Sequence, residues 1–225
     1  MLKLNITVYG DSILKGVLLE EGKYKMNRSW EQRLAAEHGL TIRNKAHFGS
    51  TIGKALGLIE KDCAETWTEG ELALLEFGGN DCDFDWAAIA ENPEGSYVSK
   101  TPPETFESCY RRAIRLVEES GREPIVLTLP PIHSERYLDF ICRGGLKKEN
   151  ILRWLGDVDA IYRWQRMYSE LVSQLALGEG VKSIDLRAVF LRDKHSPEEL
   201  LCIDGIHPSR LGQSLIYETL SAAMG

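Results

Sequence analysis

Three short stretches of this sequence hold side chains that could together carry out acyl chemistry: GDS at residues 10–12, GGND at 78–81 and DGIHP at 204–208. A serine hydroxyl is a weak nucleophile at neutral pH and needs a neighbouring base to take its proton. His207 is the candidate base, since an ordinary imidazole pKa of about 6.5 lets it accept a proton at pH 7 and return it once charged. Asp204 lies one short loop earlier. If that loop points both side chains the same way, the carboxylate accepts from Nδ1 and Nε2 turns toward Ser12. Asn80 offers a side-chain amide to an oxygen that gains negative charge. In HFGST, at 47–51, the backbone N–H of Gly49 is a further donor, with Gly53 its rival.

Each stretch alone has a plainer explanation. GDS also suits a turn that caps a following helix, DGIHP suits a loop with Pro208 at the first helical position, and Gly78, Gly79 and Asn80 all tolerate positive φ. Joint placement favours chemistry. A nucleophile after the first strand, donors after the second and third, and a base with its orienting carboxylate after the fifth would converge on one sheet edge.

The elements that must position these residues are legible as alternating patterns. Segments rich in Val, Ile and Leu at about residues 4–9, 40–44, 72–77, 125–129 and 181–186 read as strands buried on both faces. Apolar residues at three- and four-residue spacing mark helices over 28–39, 50–63, 105–121 and 151–177, with a last helix over about 208–223 and another expected directly after Ser12. Gly39 and Gly121 stand where left-handed residues end helices. Alternating strands and helices predict an α/β fold, a parallel sheet with helices on both faces, in one domain over residues 1–225. Two long connections, about 82–104 and 131–150, leave the carboxyl ends of strands, where open α/β sheets bind ligands.

Composition narrows the partners. Lys plus Arg number 27 against 34 Asp plus Glu, a net charge of −7, with no basic stripe to neutralise phosphates, so nucleic acid and anionic membranes are not expected. No segment reads as a signal-peptide core or a membrane span, which predicts a cytoplasmic protein. Cys63, Cys82, Cys109, Cys142 and Cys202 lack paired CxxC spacing and read as reduced thiols. His38, His133 and His195 read as surface or capping residues, and His47 as bonding a loop; no metal site is expected. Phe84, Trp86, Tyr97, Tyr137, Trp154 and Trp164 lie in or after the long connections, and Phe84, Trp86 and Trp154 are candidates for the substrate wall.

Taken in order, GDS, the glycine block around Gly49, GGND (as GxND) and DGIHP (as DxxH) resemble the GDSL or SGNH hydrolases across nearly the whole chain. That resemblance implies a flavodoxin-like three-layer α/β/α fold with a mostly parallel five-stranded sheet. It implies Ser12 as nucleophile, His207 as base and Asp204 as its partner, with Ser12 N–H, Gly49 N–H and the Asn80 amide as the oxyanion hole. The expected activity is a serine esterase on small-molecule esters, needing no cofactor. Short acyl groups such as acetyl on carbohydrates come first, with lysophospholipase, thioesterase or acyltransferase activity as alternatives. The rival of another class is a non-catalytic binding module of the same fold. A phosphate-binding reading is disfavoured because neither GxGxxG nor GxxxxGK[ST] occurs.

Overall fold

The structure is a computed structural model and describes residues 5–64 and 71–224. Leu4, expected to open the first strand, lies outside them.

Strand β1 (Asn5–Gly10) is rich in β-branched residues and almost wholly buried, as a central strand must be. The helix expected directly after Ser12 is absent. The chain makes a single turn and enters a hairpin of β2 (Val17–Glu20) and β3 (Lys23–Met26), joined by Glu21 and Gly22, both with positive φ. Such a two-residue connection matches the twist of paired strands. Helix α1 (Ser29–His38), strand β4 (Thr41–Asn44), helix α2 (Ile52–Cys63) and strand β5 (Leu72–Glu76) follow.

The first long connection carries α3 (Trp86–Glu91) and leads into α4 (Pro103–Glu119) and β6 (Glu123–Leu127). The second folds into α5 (Ser134–Cys142) and runs into α6 (Lys148–Leu155). The helix expected over 151–177 is therefore two helices, α6 and α7 (Ala160–Glu179). Gly156 caps α6 by donating to Leu152 O at 2.9 Å, and the Asp157 carboxylate accepts from Ala160 N at 3.1 Å to start α7. These local caps override the continuous apolar spacing. The chain closes with β7 (Lys182–Ile184), α8 (Leu186–Arg192), α9 (Pro197–Leu200) and α10 (Arg210–Met224).

The main sheet has five parallel strands in the order β4-β1-β5-β6-β7, as the α/β expectation requires. Alternate side chains feed two cores. Tyr9, Ala73, Leu75 and Val126 pack with residues of α2, α4 and α7, while Ile6, Val8, Leu74 and Ile125 pack with residues of α1, α8 and α10. A third cluster, built on Phe84, Trp86, Ile89, Tyr137, Leu138 and Ile151, joins the two long connections.

From β1 the chain crosses to β4 on one side and then returns to β5 on the other. Neighbouring crossovers therefore diverge at the carboxyl ends of β1 and β5 and leave a crevice there, the usual ligand position in open α/β sheets. Gly10 pairs with Glu76 in this register, so GDS and GGND leave the sheet side by side.

Candidate active site

Ser12 sits in the turn after β1, where Asp11 O accepts from Lys15 N at 3.1 Å and Ser12 O accepts from Val17 N at 3.0 Å. Across the crevice, DGIHP forms an irregular loop before α10. Gly205 has φ of +74°, and a Cβ there would lie 2.6 Å from His133 O, so the loop closes on the second long connection only with glycine. Two bonds fix the loop: Asp204 Oδ1 accepts from Ile206 N and His207 N, each at 3.1 Å.

The loop aims two side chains at Ser12. Asp204 Oδ2 lies 2.6 Å from His207 Nδ1, and His207 Nε2 lies 2.9 Å from Ser12 Oγ. All three residues are buried. An Nδ1–H donating to the carboxylate leaves Nε2 as acceptor for the serine proton, which is the tautomer that base catalysis requires.

Asn80, Gly49 and the Ser12 backbone border the same crevice. The Asn80 side chain spends one amide hydrogen on Asp11 Oδ2, at 2.9 Å, which leaves its second hydrogen for a ligand. Among the described residues, neither Ser12 N–H nor Gly49 N–H has an acceptor in the chain. Gly53, the rival donor, lies in the first turn of α2 and does not line the crevice. Asp81, which completes GGND, is turned away from it. Its carboxylate accepts from Ile52 N at 3.0 Å and so holds the start of α2, and burial pushes its pKa up to about 6.

Two acidic residues that the sequence reading passed over stand beneath this site. Asp11 and Glu76 are fully buried neighbours, and burial raises both above the usual carboxylate range, Glu76 well above it and further because of the Asp11 charge. Asp11 carries the charge, since it accepts from Ile13 N and the Asn80 amide, each at 2.9 Å. Burial and the Asp11 charge favour the protonated form of Glu76, whose carboxyl faces Asp11. Burial and mutual repulsion therefore favour one negative charge over two behind Asn80.

The crevice has a volume of about 150 Å³ and is walled, beside Ser12, Asn80 and His207, by Phe84, Trp86, Leu129, Tyr137, Ile161 and Trp164. Asp83 braces this wall, with its Oδ1 accepting from Trp86 Nε1 at 2.7 Å and Tyr137 Oη at 2.6 Å, which ties the two long connections together. Trp154, expected in the wall, stands behind it. It packs edge-on against Phe84 at 4.9 Å and faces a separate surface pocket with Tyr97. At the mouth, Tyr24 of β3 and Phe48 flank the His207 ring; Tyr24 was not singled out in the sequence because the hairpin was not foreseen, and Phe48 because only the glycine of HFGST was considered.

The remaining histidines have local partners: His38 Nε2 lies 2.8 Å from Ser221 Oγ, His133 Nε2 2.9 Å from Glu198, and His195 Nδ1 2.6 Å from Asp193. His47 Nδ1 meets Lys45 O at 2.8 Å. Among the described residues all five cysteines are free, and no group of His, Cys, Asp and Glu is arranged to hold a metal. No described helix is long and apolar enough to cross a membrane.

Comparison with known proteins agrees with this architecture. A lipase/acylhydrolase from Enterococcus faecalis superposes with a TM-score of 0.65 at 18% identity, covering 98% of this chain and 94% of that one. A catalytic mutant of the acetylxylan esterase Axe2 from Geobacillus stearothermophilus gives 0.66 at 17%, with 98% and 94% covered. A lipolytic G-D-S-L protein from Veillonella parvula gives 0.65 at 16%, with 96% and 95% covered. At these identities the likeness is one of fold. No curated protein matches the chain. The family model for the GDSL-like Lipase/Acylhydrolase family matches residues 8–215, and the chain belongs to that family of ester hydrolases.

Proposed function

We propose that the protein is a serine esterase working through an acyl-enzyme on Ser12. The observation that carries this reading is the line from Asp204 through His207 to Ser12, with contacts of 2.6 and 2.9 Å. Ser12 Oγ attacks the ester carbonyl while His207 Nε2 takes its proton. The carbonyl oxygen gains charge against Ser12 N–H, Gly49 N–H and the free hydrogen of the Asn80 amide. His207 then protonates the departing alcohol as the carbon–oxygen bond breaks. Water, deprotonated by His207, hydrolyses the acyl-serine and restores the hydroxyl. No metal or organic cofactor enters this scheme.

Short-acyl esters are the preferred substrates, and the likeness in fold to an acetylxylan esterase supports acetylated carbohydrate among them. The volume of the site fits this reading: about 150 Å³, comparable to a cavity able to hold benzene, is shared by the acyl and alcohol groups, which suits a short acyl chain.

The test is turnover of p-nitrophenyl acetate and labelling by a fluorophosphonate probe, beside Ser12→Ala. We expect both from the unmutated protein and neither from the variant. A variant that keeps both, or an unmutated protein that shows neither, refutes the reading.

A further inference from the structure

The esterase scheme leaves open where the alcohol half of the substrate lies, and the aromatic residues of the site divide in a way that bears on it. Phe84 contacts Trp86, Trp154 and Trp164, and of these Phe84, Trp86 and Trp164 line the wall with Trp154 behind it. Tyr24 and Phe48 form a separate pair, with ring centroids 5.1 Å apart and an interplanar angle of 63°. Both touch the catalytic imidazole: Phe48 stacks beside His207 at 5.9 Å and 13°, and Tyr24 meets it edge-on at 5.4 Å.

We infer that Tyr24 and Phe48 form the subsite for the leaving alcohol and favour an alcohol that presents a flat ring face. The inference rests on the esterase reading and follows from proton geometry. To protonate the leaving oxygen, His207 Nε2 must come within hydrogen-bond reach of it, about 3 Å. The carbon attached to that oxygen therefore lies beside the imidazole, where these two rings stand. The carbonyl oxygen is directed to Ser12, Gly49 and Asn80, and the acyl group is left the cavity walled by the long connections.

Exposure argues that the rings serve a ligand rather than only cover His207. His207 is 2% exposed, whereas Tyr24 is 46% and Phe48 52% exposed, so each ring keeps about half its surface open at the mouth of the site. Met26, two residues along β3 on the same face as Tyr24, is also exposed and extends the apolar edge. A sugar ring offering C–H groups or an aryl ring offering its edge would cover this surface, and both share the required chemistry of a ring face.

The experiment compares acetates that share one acyl group: methyl acetate, phenyl acetate and an acetylated methyl xyloside. In Phe48→Ala and Tyr24→Ala, the ratio of kcat/KM for a ring-bearing acetate to that for methyl acetate should fall about tenfold. A fall with phenyl acetate alone identifies an aryl alcohol, and one with the xyloside alone a sugar; either supports the subsite. Damage to His207 would cost methyl acetate, with the poorest leaving group, at least as much as the ring-bearing acetates, so the ratios would hold or rise rather than fall. Unchanged ratios in a protein that still turns over acetates overturn the subsite and spare the esterase reading. Absence of turnover by the unmutated protein overturns both. If an alanine variant does not fold, Phe48→Leu, which keeps an apolar side chain without a ring face, takes its place with the same expected fall.

Discussion

Glu76→Gln tests the one-charge pair beneath the oxyanion donors. Glutamine keeps the shape of the side chain and can still donate to Asp11, but it cannot ionise. In the folded protein Glu76 holds its proton well above the ordinary glutamate range, because it is buried and faces the Asp11 and Asp81 carboxylates. The unfolded chain releases that proton near the ordinary value of about 4.3. A group whose folded pKa is raised contributes stability at low pH and loses it as pH rises toward the folded pKa. Within that window the slope for one proton is about 1.4 kcal/mol per pH unit. At a urea dependence of about 2.5 kcal/mol per M, this is roughly half a molar in midpoint per unit. His207 faces Asp11, and Tyr110 feels the Glu76 charge, so absolute curves carry several groups. The difference between unmutated protein and variant isolates Glu76. Urea midpoints taken at successive pH values from about 5 upward should therefore diverge, with the variant gaining on the unmutated protein until the folded pKa is passed. Parallel midpoints would mean that Glu76 ionises alike in both states and that the pair carries two charges.

Two further outcomes follow from the site. Asn80→Ala removes one of three oxyanion donors, so kcat should fall on the order of 10²- to 10³-fold with little change in KM; a loss below about threefold in steady-state assays would exclude Asn80 from the oxyanion hole. His207→Ala removes the base, and Asp204→Asn disturbs its tautomer, for which losses on the order of 10⁴-fold in kcat are typical. Asp204→Asn should cost as much as His207→Ala or less, since it acts through the imidazole, and an active His207→Ala would refute its role as base.

Residues proposed to face the reaction were easier to single out in the sequence than those packed beneath them. Ser12, Asn80, Asp204 and His207 fall at strand ends, where small polar residues interrupt apolar runs, and the strand order then brings them together. Glu76 was legible in principle, as an acid ending the otherwise apolar strand LALLE, yet its meaning depends on the register that pairs Gly10 with Glu76. The hairpin of Tyr24 was hidden for another reason. KYKM is exposed throughout, so it lacks the burial pattern that marks a strand, and only the Glu21–Gly22 turn announced it. Trp154 lies behind Phe84, a position that spacing does not reveal, since it shows that an aromatic is near the site but not which side of Phe84 it occupies.

The hairpin after Ser12 is fastened to the far end of the chain. Leu19 N donates to Cys202 Sγ at 3.4 Å, Asn27 Nδ2 to Gln213 Oε1 at 2.7 Å, and Arg210 Nε to Glu20 at 2.7 Å. Ser12 and His207 themselves are 195 residues apart. During translation at about 5–20 residues per second, roughly 10 to 40 s separate the synthesis of the serine from that of its base. A nascent chain thus carries an unarmed Ser12 hydroxyl throughout that interval. Neither the proposed base nor the anchors of the hairpin exist until residues 202–213 are made, so on this reading hydrolysis waits until that segment has met the hairpin.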